Sequence, residues 1–298
     1  MKITVVGAGA TGRVFAAHLS SVGADVSVLS RHAPRAANGV ERADGSGRIL
    51  ADAVHAHAGF AAGSDAALAC VPAEAVSDDL LAGLDELRAP IVFMMPLLPE
   101  SWHRIRERLG ARAVAALPGV TGYVRSDGVV RYWLPRSAPT VIDADAGLGE
   151  LAKLLDASGV HTRLQREVSA ANQAVTATFL PLVMALAASG STHAALANPM
   201  LLGEATDATG EAQRLAAELG HPPGWVSLLT KFVGPRMLKL GLGLAERVSP
   251  ETIDYADAQF ARARRGTARW LGAELIRVAE ARGFDAAAMR TLHARLIG

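Results

Sequence analysis

The sequence predicts a fold in two parts, an α/β amino-terminal half and an all-helical remainder, on three observations. Residues 3–31 read as strand, glycine turn, helix and strand in succession. Short apolar runs then alternate with helical stretches as far as residue 165. From Arg166 onward every apolar pattern has helical spacing.

The opening run is ITVVGAGATGRVFAAHLSSVGADVSVLSR. Ile3 to Val6 is β-branched and unbroken, as a strand covered on both faces should be. Gly7, Gly9 and Gly12 follow at a spacing with a physical meaning. The first permits a tight turn, the second lets backbone approach a pyrophosphate, and the third lets the helix pack on the strand. With Ala8, Ala10 and Thr11 they form the loop expected to hold a dinucleotide. A helix starting near Ala10 turns its unpaired N–H groups and positive dipole end toward those phosphates. This is the βαβ unit of a doubly wound, Rossmann-type sheet.

The second strand, Asp25 to Leu29, ends in Ser30 and Arg31. A site for NAD normally offers an acid about 20 residues past the glycines, bonding the ribose hydroxyls. Here a hydroxyl and a guanidinium stand in its place. Arg31 can pair with a 2′-phosphate, which a carboxylate would repel. The expected cofactor is therefore NADP(H); FAD, which also favours the acid, is disfavoured.

Beyond that unit, Asp44-Gly45-Ser46-Gly47 reads as the turn of a hairpin within Gly39 to Gly63. Strands are expected at Ala67 to Val71, Ile91 to Met95, Ala113 to Leu117, Val129 to Leu134, Thr140 to Ile142 and Val160 to Leu164. Helices are expected at Ala73 to Leu87, Glu100 to Leu109 and Ala146 to Ala157, the last with Leu148, Leu151, Leu154 and Leu155 on one face. The domain boundary falls at 165/166. Residues 1–165 form the dinucleotide-binding part and residues 166–298 a helical part that carries substrate contacts and any dimer contacts. Ser249-Pro250-Glu251 is a helix start there: hydroxyl cap, proline at the first position, acid in the first turn.

Composition narrows the class. The chain has 298 residues, half of them hydrophobic, and a formal net charge of +1. No basic field suits nucleic acid. Lysines are confined to positions 2, 153, 231 and 239. Cys70 is alone and lies in an apolar strand, which fits a reducing cytoplasm and an inert thiol. Met1-Lys2 runs straight into the first strand, so no leader is expected. The apolar stretch Ala174 to Ala188 includes Thr176, Thr178 and Pro181, and it reads as a buried helix rather than a membrane span of about 18 residues or more. His55 and His57 share a strand face, but two histidines make no metal site, and none is expected.

On KITVVGAGATG, the Arg31 position, AVSDDLLAGL and ETIDYADAQFARAR, the chain resembles the ketopantoate reductase family, within the 6-phosphogluconate-dehydrogenase-like proteins. The resemblance covers nearly the whole chain. It implies a Rossmann-type domain, a helical domain, NADPH as reductant and a 2-oxo acid in the cleft between the domains. The departures are chemical. Val71-Pro72-Ala73 stands where the family has a lysine, and Met94-Met95-Pro96-Leu97-Leu98-Pro99 replaces an Asn-Gly loop. Asn172 or Gln173 fills the place of the catalytic lysine. Thr252 precedes Ile253-Asp254-Tyr255, with the family's glutamate matched only by Glu251 one place earlier.

Reducing a ketone needs a proton donor and stabilisation of the developing alkoxide. A lysine ammonium supplies both, whereas an amide donates a hydrogen bond but no proton at neutral pH. The candidates for the chemistry are thus Asn172, Glu251 and Tyr123, with Val71 and Pro72 beside the cofactor. Tyr123 is otherwise a loop anchor and Glu251 a helix cap. The Asn172, Gln173 and Thr176 cluster fits either a cleft wall or helix–helix hydrogen bonds. The expected activity is NADP(H)-dependent reduction of a carbonyl or imine on a small acid or specialised metabolite other than ketopantoate. A homodimer is compatible with the plan. The alternatives are a dinucleotide-binding scaffold without catalysis and a non-redox enzyme reusing the cleft.

Overall fold

The structure is a computed structural model that describes residues 1–30, 39–45, 47–49, 55–57, 63–144, 147–220, 251–263 and 265–298. The side chains of Arg48, His55–His57, Thr252, Arg262 and Ala263 also fall outside the description. Two compact units emerge: Met1–Met95 with Trp102–Ser169, and Pro96–Ser101 with Ala170–Gly298. The last crossing between the units falls at 169/170, four residues after the expected 165/166. The short segment Pro96–Ser101, inside the α/β half of the sequence, groups with the helical unit.

The first unit is built on an eight-stranded sheet ordered β12-β11-β8-β7-β6-β1-β2-β5. Its strands are β1 (Lys2–Val6), β2 (Asp25–Leu29), β5 (His55–His57), β6 (Ala66–Ala69), β7 (Ile91–Phe93), β8 (Ala113–Leu117), β11 (Thr140–Asp143) and β12 (Thr162–Gln165). β1 is central, parallel to β2 on one side and to β6 on the other. Ile3 and Val5 are wholly buried, because a parallel sheet is covered on both faces. Among the described residues, only the β8–β11 pairing within this sheet is antiparallel.

A second sheet, β4-β3-β10-β9, combines β3 (Val40–Arg42), β4 (Arg48–Ile49), β9 (Thr121–Val124) and β10 (Val130–Trp133). The expected hairpin is the antiparallel β3–β4 pair. It takes only part of Gly39 to Gly63, since β5 leaves it to extend the main sheet beside β2. Val40, Val130 and Tyr132 join Val14, Phe15 and Leu19 of α1 (Ala10–Ser21) in one core with the main sheet.

Helix α2 (Asp78–Glu86) starts later than expected. Residues 73–75 make a single 3-10 turn, and the Ser77 hydroxyl then accepts the Leu80 N–H at 3.2 Å. A side-chain cap resets the helix start. α3 (Pro99–Leu109) and α4 (Gly149–Ala157) complete the layer elements of this half.

The described residues of the second unit are helical: α5 (Val168–Ser189), α6 (Thr192–Ala197), α7 (Pro199–Leu219), α8 (Glu251–Ala256) running into a π-helical stretch (Asp257–Ala263), α9 (Arg265–Ala281) and α10 (Ala287–Ile297). α7 begins with Pro199 at its first position, and Asn198 Oδ1 accepts the Leu201 N–H at 3.1 Å. Glu211, on the same helix, accepts the Ala288 and Met289 N–H groups at 2.9 Å each, capping α10 from a distance. α5 extends beyond the expected apolar stretch to 22 residues, enough by length and composition to cross a bilayer. However, 67% of its apolar window is buried inside the protein, as in a core helix.

Candidate functional site: a glycine turn at the sheet switch point

After β1 the chain crosses to β2 on one side, while β6 occupies the other side. Ligands of doubly wound sheets settle outside the strand carboxyl ends at such a reversal. The structure brings Gly7, Ala8, Gly9, Ala10, Thr11 and Gly12 to that place, with Ser30 following β2, and Val71 and Pro72 following β6. Arg31 lies outside the described residues.

The three glycines do three different jobs. Gly7 has φ +105° and donates its N–H to Leu29 O at 2.8 Å. A Cβ there would sit 2.5 Å from the Cys70 carbonyl oxygen, so both conformation and space demand glycine. A Cβ on Gly12 would overlap the Gly7 carbonyl oxygen and press on Cys70 Cβ at 3.2 Å. Gly9 is the contrary case. It is exposed, and a Cβ on it would meet nothing within 4 Å.

Gly9 is also the N-cap residue of α1, and its side cannot supply the capping oxygen. No acid stands in the first turn of that helix, so its positive dipole end is not offset from within. A phosphate group fits this geometry: close backbone approach at Gly9, with N–H groups and a dipole facing it. Behind the turn, the Cys70 N–H donates to Val6 O at 2.8 Å, and burial pushes the Cys70 thiol pKa up, which suits packing rather than nucleophilic work.

The proposed chemistry residues are placed differently. Tyr123 is in strand β9, not in a loop; it is 8% exposed and its ring stacks on Trp133 at 6.1 Å and 25°. The Gly122-Tyr123-Val124 stretch was obscured in sequence by its glycine, which lies against Arg131 O and Tyr132 Cβ of β10 and so marks close strand approach. Asn172, in α5, is 1% exposed. Its Oδ1 accepts the Leu97 N–H at 2.9 Å and the Thr176 hydroxyl at 3.1 Å. Of the two readings of that polar cluster, hydrogen bonding within the fold is what Oδ1 does. Glu251 opens α8 and is half-buried. Lys231 and Lys239 lie outside the described residues, and so do the side chains of His55 and His57. Among the described residues, no group of three or more His, Cys, Asp or Glu is arranged to hold a metal ion.

Three polar residues carry structure that the sequence reading passed over. Glu274 of α9 is 1% exposed, and its Oε1 accepts the Ser101 N–H at 2.9 Å and hydroxyl at 3.3 Å. Burial pushes its pKa up, against the pull of those hydrogen bonds. Asn172 and Glu274 thus fasten the strap Pro96–Ser101 at its two ends, with Leu97 and Leu98 wholly buried between them.

His18 sits among apolar residues of α1, which was the available signal. Its Nδ1 lies 2.7 Å from Ser158 O, which can only accept, so Nδ1 carries the proton. Nε2 then accepts from the Tyr132 hydroxyl at 2.9 Å. Burial lowers the His18 pKa and raises that of Tyr132 to about 12. Arg13, directly after Gly12, donates from Nη1 to Gly128 O at 2.8 Å and from Nη2 to Gly39 O at 3.5 Å.

Residues 2–95 match the family described as the NAD binding domain of 6-phosphogluconate dehydrogenase. A comparison with curated protein sequences returns no match. Among solved structures, the chain is similar to 2-dehydropantoate 2-reductase from Geobacter metallireducens GS-15, with a TM-score of 0.74, 18% identity, and 100% of this chain and 99% of that chain covered. It is also similar to a dimeric ketopantoate reductase from Staphylococcus aureus (0.68, 15%, 100% and 98%) and to D-mandelate dehydrogenase solved with NADH (0.68, 14%, 100% and 98%). The chain therefore has the fold of the ketopantoate reductases, and its amino-terminal domain is similar to the NAD-binding domain of 6-phosphogluconate dehydrogenase.

Proposed function

We propose that the protein is an NADP(H)-dependent oxidoreductase that reduces a carbonyl or imine on a small acid or specialised metabolite. The observation that carries the reading is the contrast within the glycine turn. Two glycines are required by the protein's own packing, while Gly9 is open on the side where a pyrophosphate would lie. A bound reduced nicotinamide supplies the hydride; the chain's residues hold it, shield it and deliver a proton to the substrate oxygen or nitrogen.

The choice of NADP(H) over NAD(H) rests on Ser30 and Arg31 at the place of the usual acid. The solved relative with NADH makes this choice worth testing directly. Ketopantoate itself is an unsuitable substrate, because Pro72, the Met94–Pro99 run, Asn172 and Thr252 replace the family's polar groups. Tyr123 and Glu251 are the candidates for the proton donor, with Asn172 as a hydrogen-bond donor. A homodimer in the cytoplasm completes this reading, by analogy with the dimeric relative.

A second reading has its own support. Asn172 Oδ1 is occupied by Leu97 and Thr176, so the residue at the catalytic-lysine place works for the fold. That favours a dinucleotide-binding protein without turnover. The deciding experiment follows loss of reduced-nicotinamide absorbance with NADPH and with NADH against a panel of 2-oxo acids and cyclic imines, ketopantoate included. Turnover with NADPH and a member of the panel other than ketopantoate supports the oxidoreductase. Tight NADPH binding without turnover on any compound supports the second reading.

A further inference from the structure

Side-chain size drops sharply across the main sheet of the first unit. Side chains along a strand alternate between faces, and Val92, Val114, Ala116 and Ile142 turn to the core that includes Val14 and Phe15 of α1. Their neighbours along each strand turn to the other face. There Phe93 stands beside Ala115 in the parallel register of β7 and β8. Ile142 pairs with Ala116 in the antiparallel register of β8 and β11, so Asp143 comes next to Ala115. One row across three strands therefore runs phenylalanine, alanine, aspartate. The row beside it runs from Ile91 to Ala113.

Helix α3 covers this face. Trp102 meets the wholly buried Phe93 ring edge to face at 6.2 Å and 78°. Past Phe93 the alanines are too small to fill the space beside the helix. A cavity of about 390 Å³ opens there, within the size range of small-molecule sites. Ala113 and Ala115 form its floor, Trp102 and Arg106 line it from α3, Asp143 lines it from β11, and Ser169 lines it from α5. Glu167, just before α5, takes the left-handed conformation with φ +59°, which is costly for a residue with a side chain. That turn starts the helix with Ser169 at the cavity.

The lining has a definite chemistry. Arg106 Nη1 donates to Ala113 O at 3.2 Å, which holds the guanidinium at the wall, and a guanidinium has five N–H donors in all. Asp143 brings a carboxylate to the same space, so the cavity holds one charge of each sign. A lone anion or a lone cation would meet one attracting and one repelling group there. A small zwitterion meets two attracting ones. The Ser169 hydroxyl adds a hydrogen bond, and the alanine methyls and the Trp102 ring offer apolar surface to a side chain. We infer that this cavity binds a free α-amino acid, with its carboxylate on Arg106, its ammonium on Asp143 and its side chain against Trp102. The site lies on the face of the sheet turned away from α1, and β8 is separated from β1 by β7 and β6. It is independent of the glycine turn and of the proposed cofactor.

Calorimetry of the whole protein with glycine, L-alanine, L-valine, L-leucine and L-phenylalanine, up to about 20 mM, tests this. At least one should bind saturably. Its N-acetyl derivative, which lacks the ammonium, and its methyl ester, which lacks the carboxylate, should each bind about fivefold more weakly or worse, since charged hydrogen bonds carry that order of free energy. Arg106→Gln and Asp143→Asn should each weaken the free amino acid by the same factor, with thermal melts confirming a folded protein. Ala115→Leu, which fills the floor, should abolish binding; where it does not fold, the two charge variants decide. No binding by any of the five amino acids overturns the inference. So does a loss smaller than about fivefold in either charge variant or with either derivative, which would place the amino acid elsewhere on the protein.

Discussion

Two regions of this molecule treat polar chemistry in opposite ways. At the glycine turn the fold removes side chains, leaving Gly9 with open space where a Cβ would be. Around the strap Pro96–Ser101 it spends side chains, with Asn172 Oδ1 and Glu274 Oε1 each accepting two hydrogen bonds inside the helical unit. The first arrangement leaves room for a ligand. The second explains two buried polar residues without one. The lesson is that a buried polar residue has to be judged by what its atoms already hold.

The largest expected effect comes from attacking the turn where it is full. Gly12→Val forces a branched side chain into the Gly7 carbonyl, so α1 must lift from the sheet; thermal melts should show a loss of about 3 kcal/mol or more, with cofactor binding gone as well. A near-native melting temperature for this variant would mean that α1 does not approach β1 as closely as described.

Next is the strap. Asn172→Ala leaves the Leu97 N–H buried with its acceptor removed, at a cost of about 1–3 kcal/mol. Denaturant unfolding measures it. Were Asn172 instead the group that touches substrate, turnover would fall with stability unchanged.

A smaller effect follows from His18. Its folded pKa lies below the ordinary value of 6.5, so below about pH 6.5 the unfolded chain takes up a proton that the fold resists. Its contribution is complete above that pH and is lost as the pH falls toward the lowered folded value. Melts between pH 7.5 and 5.5 should therefore decline in wild type, and the decline should shrink in His18→Gln, whose amide does not titrate; equal slopes in both proteins would remove His18 from the account.

Smallest in stability, and most informative, is Gly9→Ala. A methyl group meets no protein atom there, so the melting temperature should move by no more than about 1 °C, while NADPH affinity drops by about tenfold or more. Retained affinity would place the pyrophosphate elsewhere.

Much of this was readable in the chain. The β1 run, the glycine spacing and the helix after it are local signals, because each depends on residues within a few positions. The two-part plan was readable for the same reason. Three features were not. Glu274 and Ser101 are bonded across 173 positions, and no local pattern announces such a pair. Tyr123 looked like a loop residue because Gly122 is a poor strand former, yet glycine is what lets β9 lie close to β10. The start of α2 slipped to Asp78 because one serine hydroxyl outweighed the helical propensity of the alanines before it.

The most direct test of the central claim is isothermal calorimetry of the wild-type protein with NADPH and with NADH. The account predicts saturable binding, with NADPH the tighter ligand and the heat abolished in Gly12→Val. Flat titrations with both nucleotides at millimolar concentration would contradict it.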